Sequence, residues 1–307
     1  MNLVKTSTAL ALVAAFTAPA MAADEINFYG KANVTIQMSD DGEGSFSEVK
    51  SNASRLGVTG GLKINDALSV VYKAEFQVDM DGDSDDNITA RNQYIGLKGN
   101  FGTVLLGKND TVTKQSQGKV DIFSDLEADI KVLWKGENRM SDTLTYFTPK
   151  FGLFQAGLTY SAEGDEQSDA GISAAVTYGD AKLKSNNFYA AVAIDSEVKG
   201  YDIFRATVAT KFAGIKFGAM LQTQEDVESG KELEGLMVSA AYKIDGFTLK
   251  GQVQTAEVDG GDDKSGISAG VDYSLAKNAK IFAFYTSFDM DTGADQDYLA
   301  TGIEYKF

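Results

Sequence analysis

The chain has no cysteine, no histidine and only two prolines. Without histidine or cysteine there is no Ser-His-Asp triad, no Cys-His pair and no histidine-ligated zinc. Basic residues are also scarce: 28 Lys and Arg face 44 Asp and Glu, a formal charge of −16. Nucleic acid is thereby excluded as a partner, since phosphate binding needs clustered bases, and a field that attracts cations is favoured. Long apolar runs are missing as well. Beyond residue 22 the run Tyr189 to Ile194 is among the longest, far short of the roughly 20 residues a membrane helix needs. If this chain lives in a membrane, it does so as a barrel.

The first 22 residues read as a secretory signal, with Lys5 at the positive start, Thr8 to Thr17 as the apolar core and Ala20-Met21-Ala22 as the cleavage site. A spanning helix is the competing reading, but the core is short and Pro19 interrupts it. The mature chain is therefore expected to begin at Ala23 and to form one domain over 23–307, with no linker that would divide it. An exported chain without disulfides needs another source of stability, and a closed barrel supplies one by leaving no unpaired edge.

Thirty-one glycines, 13 tyrosines and 18 phenylalanines suit many antiparallel strands joined by tight turns. The fold class expected is all-β, a transmembrane antiparallel barrel. Period-two alternation runs from end to end: Phe247, Leu249 and Val253 oppose Thr248, Lys250, Gln252 and Gln254, and Tyr72, Ala74, Phe76 and Val78 oppose Lys73, Glu75, Gln77 and Asp79. About sixteen strands follow, at 26–39, 52–64, 68–79, 89–99, 101–109, 142–150, 154–163, 171–183, 187–197, 201–212, 215–224, 233–244, 247–258, 266–276, 279–289 and 297–307. Short connections such as Asn65-Asp66-Ala67 and Asp245-Gly246 alternate with longer acidic ones at 40–50, 80–88, 225–232 and 259–265. An outer-membrane barrel has this asymmetry, with turns on the periplasmic side and loops outside. One connection is far longer: 110–141, within which Val120 to Trp134 has partly helical spacing. A structured loop of this length is usually functional, with a surface lid or an unrecognised strand within it as the plainer alternatives.

The order of several motifs resembles the Gram-negative general porins over essentially the whole chain. The matches are Ser54-Arg55-Leu56-Gly57 with Gly60, the block Arg91-Asn92-Gln93-Tyr94-Ile95-Gly96-Leu97-Lys98-Gly99 running through Phe101-Gly102-Thr103 to Gly107-Lys108, Tyr146 to Pro149, and the terminal Phe307. The resemblance implies a sixteen-stranded barrel that assembles as a homotrimer, a third external loop folded into the lumen, and a Phe307 read by the barrel-assembly machinery. Two departures stand out. Lys108 replaces the arginine common in such porins, and the long loop lacks their Pro-Glu-Phe-Gly-Gly-Asp run, which leaves open which loop carboxylates face the constriction.

Barrel-type outer-membrane proteases and phospholipases rely on histidine, so the chain reads as a non-enzyme without cofactor or metal. Carboxylate pairs suited to glycoside hydrolysis remain conceivable among 44 acids, but solvated loop charge accounts for them better. Asp81, Asp83 and Asp85 imitate the start of a calcium loop, yet Asp86 and Asn92 occupy the positions where Gly and Glu are required. A loop that loosely holds divalent cations, bridging to lipopolysaccharide phosphates, fits better. Arg55 and Arg91 share parity with polar neighbours, which puts both on the lumen face. They begin a basic wall with Lys108 and Arg139, opposite the acidic candidates Asp121, Asp125, Glu127 and Asp129; the alternative is that the arginines tie loops to the wall. The function expected is passive diffusion of ions and small hydrophilic solutes, with a modest preference for cations. A pore specific for a sugar or another solute, and a plugged barrel used as an adhesin or anchor, are the competing readings.

Overall fold

The computed structural model describes residues 25–82, 85–164, 170–261, 263–290 and 295–307. The signal segment 1–22, the start at Ala23 and Asp83 lie outside them. Among the described residues seventeen strands form one antiparallel sheet in which, one interrupted strand apart, chain neighbours pair. The first, β1 (Glu25–Asp40), pairs with β17 (Gln296–Lys306) and so closes the ring. On its other side β1 pairs with both β2 (Ser45–Ser51) and β3 (Arg55–Asn65). These two are halves of one wall strand, so the barrel has sixteen staves.

The break between the halves is a bulge. Val34 faces Ser51, whereas Lys31 faces Arg55, a slip of one residue absorbed at Asn52–Ser54, where Ala53 has φ 49°. The Ser54 hydroxyl bonds the Asn33 N–H (2.9 Å) and the Asn33 carbonyl (3.1 Å), standing in for the interrupted ladder. The acidic stretch expected as an external loop at 40–50 is therefore mostly strand: alternation falters at the bulge, and that ended the expected strand at residue 52.

Exposure is inverted relative to a water-soluble protein. In β1 Ile36 and Met38 are 60% and 66% exposed, while Thr35, Gln37 and Ser39 are buried. In β14 (Phe247–Val258) Leu249 and Val253 are exposed, and Gln252 and Gln254 are buried. A polar interior with an apolar outer surface is stable only where lipid replaces water outside. Strands β10 (Phe188–Val198) to β17, of 11 to 13 residues, meet the roughly 9 to 11 that a tilted strand needs to cross. Two of the tight turns, Ala213-Gly214 and Asp245-Gly246, place both residues at positive φ, the type I′ geometry that matches strand twist.

The long connection runs from β6 (Gly102–Asp110) to β7 (Arg139–Phe147). Its helix, α1, is five residues at Val112–Ser116 and lies before the stretch whose spacing looked helical. Between Val120 and Trp134 there is one 3-10 turn, Ile130–Val132, and otherwise bends. Aspartates explain this: Asp121 and Asp129 accept backbone N–H groups that a helix would use, and Asp125 has φ 71°.

Candidate functional site

The segment 111–138 is held along the polar face of the sheet. Thr111 caps α1 by accepting the Lys114 N–H (3.2 Å), and the Thr113 N–H donates to the Ser173 hydroxyl of β9 (Gly171–Gly179; 3.0 Å). Further on, Ser239 of β13 (Glu232–Ile244) donates to the Val120 carbonyl (2.6 Å). The Gln252 amide accepts from Ile122 N–H (3.1 Å) and donates to the Ala128 carbonyl (3.2 Å). The Trp134 indole donates to the Thr255 carbonyl (2.7 Å).

Three apolar side chains of the segment sit where the wall has no side chain. A Cβ at Gly235 would lie 2.3 Å from the Trp134 ring, one at Gly218 2.7 Å from Val120, and one at Gly270 3.0 Å from Phe123. These glycines are seats for knobs. Beside them the fully buried Arg205 of β11 (Tyr201–Phe212) bonds Glu137 (2.7 Å), Gln222 (2.7 Å) and the Lys135 carbonyl (3.2 Å). Burial pushes the Glu137 carboxyl up, opposed by the Arg205 and Lys114 charges.

The other flank is charged. Asp125 meets Arg55 at 2.5 Å and Lys31 at 2.7 Å. Burial alone would raise its carboxyl, but the two cations hold it well below the ordinary range. Glu127 pairs with Lys50 and accepts from the Gln37 amide (3.1 Å). The remaining candidates turn elsewhere. Asp121 is buried and accepts the N–H groups of Phe123 (3.0 Å) and Ile130 (3.1 Å); burial with Asp129 nearby pushes it up. Asp129 caps the 3-10 turn and accepts the Asp125 N–H (2.8 Å). These two staple the segment to itself.

Among the basic candidates, Arg55 alone reaches one of the four acids. Arg91 pairs with Glu75 of the wall (3.0 Å), which also accepts from Tyr29 (2.7 Å) and meets Lys73 (3.3 Å). Arg139 pairs with Asp110 (3.0 Å) and bonds Asn92 (2.8 Å). Lys108 stands opposite Gln93, half-buried on β6. Sequence reading passed over Lys31, Glu75, Arg205 and Glu137, although Lys31, Glu75 and Arg205 have the same strand parity as the polar residues around them. Of the acidic 79–86 stretch, Asp81 accepts the Ser51 N–H (2.7 Å).

A closed ring of strands with an apolar outside and a charged, hydrogen-bonded inside defines a transmembrane β-barrel. Residues 8–293 match the Gram-negative porin family, and this chain belongs to it. The family is one of outer-membrane channels, not enzymes, and the outer membrane is this chain's location. A monosaccharide porin of Halomonas sp is 30% identical over 192 residues, 58% of this chain and 51% of the relative. Outer membrane porin protein 32 of Delftia acidovorans is 27% identical over 188 residues, 56% and 53% of the two chains. The matches thus span about half the length of these curated relatives. Among solved structures, the anion-selective porin from Comamonas acidovorans superposes with TM-score 0.75 at 17% identity, covering 92% of this chain and 99% of the other. The trimer form of OmpT of Vibrio cholerae gives 0.74 at 18% identity, with the same coverage. At these identities the structural likeness is one of fold.

Proposed function

We propose that this chain forms a water-filled pore, as a homotrimer, for passive diffusion of ions and small hydrophilic solutes, with segment 111–138 crossing the lumen as its narrowest part. The observation that carries this reading is that one segment bonds polar side chains on strands from β9 round through β14 and on to β1 and β3. Such contacts span a closed ring only from within. At the waist Asp125 and Glu127 are in direct contact with Arg55, Lys31 and Lys50, a cluster of paired charges whose local field polar solutes pass more easily than apolar ones.

The preference for cations is modest in this reading. Asp125 and Glu127 are each matched by wall cations, so the excess of acid sits in the long connections, where salt screens it within roughly 8 Å. Phe307 serves as the signal to the assembly machinery. In support, it closes the barrel through paired backbone bonds with Gly30 (2.9 and 3.1 Å), its ring over a position where any Cβ would clash. The acidic connections meet lipopolysaccharide through divalent cations.

The test is conductance of the purified oligomer in a planar bilayer. Conductance proportional to salt, with a small cation-selective reversal potential, is expected. The Halomonas relative's name makes a sugar-specific pore the second reading; block by micromolar monosaccharide would favour it, and an oligomer that runs only as monomer in mild detergent would overturn the trimer.

A further inference from the structure

We propose that the short-turn end of this pore is a vestibule that binds small polyvalent oxyanions, such as inorganic phosphate or di- and tricarboxylates; the proposal rests on the pore reading above. A cavity of about 870 Å³ opens there, lined by ten basic and only four acidic side chains. In a chain of charge −16 this is a local reversal of sign.

All four acids are already engaged. Asp125 holds Lys31 and Arg55, Asp121 holds backbone N–H groups, Asp272 holds Lys250 (2.9 Å) and Lys280 (2.8 Å), and Glu304 holds Lys306 (2.8 Å). Among the described residues, Lys119, Lys182, Lys184, Lys211, Lys216 and Lys243 form no ion pair with a carboxylate. Their charge is what an entering solute meets.

Their arrangement is costly without an anion. Lys211 of β11 stands directly opposite Lys216 of β12 (Ile215–Asp226) in the strand register, on the inward face. Like charges directly opposite destabilise a sheet, residues in that register having Cβ atoms only about 5 Å apart. Lys243, on the inward face of neighbouring β13, extends the row at the same end. From the side, the connection 180–187 is folded over the cavity and fixed there. Asp180 accepts the N–H groups of Lys182, Lys184 and Ser185, all at 2.9 Å, and Leu183 is buried in the cluster that includes Val120 and Ala209. Lys182 and Lys184 are thus presented on a rigid turn. An oxyanion with two or more charges can bridge several of these ammonium groups and relieve their repulsion; a monovalent anion relieves little.

The experiment uses single trimers in a planar bilayer in potassium chloride, with inorganic phosphate or citrate added to one chamber and then the other. Expected is a fall in current at millimolar citrate or phosphate from one side only, with acetate inert. Lys211→Gln/Lys216→Gln/Lys243→Gln, and separately Lys182→Gln/Lys184→Gln, should each raise the concentration for half block, the triple variant by about ten-fold or more. Block equal from both sides, absence of block, or block unchanged in both variants overturns the vestibule. Absence of any potassium chloride conductance from correctly oligomeric protein overturns the pore reading instead, which keeps the two failures apart.

Discussion

The wall from β10 to β15 (Lys264–Ala276) and the wall from β1 to β5 (Ile88–Gly99) hold the same segment in opposite ways. On the first wall the bond is steric and desolvated: Val120, Phe123 and Trp134 sit on glycines, and Arg205, fully buried, closes on Glu137. On the second it is ionic and only partly desolvated: Asp125 bridges Arg55, whose side chain is 19% exposed, and a buried Lys31, and Glu127 reaches a half-exposed Lys50. Each wall uses an arginine and a carboxylate, but water decides what the pair does. Fully removed from water, the pair fixes a position, because either charge alone would be stranded; where water still reaches part of the cluster, screening reduces what each pair contributes and leaves more of its field in the lumen.

The comparison breaks most visibly at Arg205. Arg205→Ala strands a buried Glu137 and should cost about 3–5 kcal/mol, read as a lower thermal midpoint of the oligomer and as unstable open-channel current. Gly235→Leu comes next: it drives a side chain into the Trp134 ring and should cost about 1–3 kcal/mol through overpacking, with quenching or shift of the chain's single tryptophan fluorescence as the direct readout. On the second wall Asp125→Asn removes the counter-charge of a buried Lys31 and should cost about 1–2 kcal/mol, and it should move the reversal potential toward anions. Acid sharpens this last result. Since the folded-state carboxyl of Asp125 is depressed, its charge and its contribution to stability are complete above about pH 4 and fade only as pH falls through the depressed value. The difference in reversal potential between wild type and Asp125→Asn should therefore be constant from pH 7 to about pH 4; a difference that fades near pH 5 would mean that the Arg55 and Lys31 clamp does not form.

Fold was legible because lipid and water impose period two on every stave, and strands such as β14 display it without interruption. It failed where the pattern itself is broken, at Asn52–Ser54, since a one-residue bulge looks like the end of a strand until its partner is known. The segment was legible as an anomaly of length but not in detail. Helical spacing in Val120 to Trp134 reflects which side chains find glycine seats, and the seats are scattered over β12, β13 and β15. Inward-parity glycines such as Gly218, Gly235 and Gly270 were the available signal, but a glycine in a strand also reads as a turn or a bulge. Arg205 was passed over because it has no motif around it; its partner Glu137 is 68 residues away in sequence.

The seam between β1 and β17 has a consequence in time. Every other pair along the sheet joins neighbours in the chain and can zip as a hairpin, whereas the seam joins the two ends of the sequence, Lys31 to Lys306 among its first rungs. Loop-closure entropy grows only logarithmically with length, so this last step is slow chiefly because it waits for all the others to finish. Until then two raw edges are open to any passing strand. The seam is therefore the one joint that needs both ends of the chain at once: a chain lacking only its last stave keeps its other hairpins yet leaves β1 without its β17 partner.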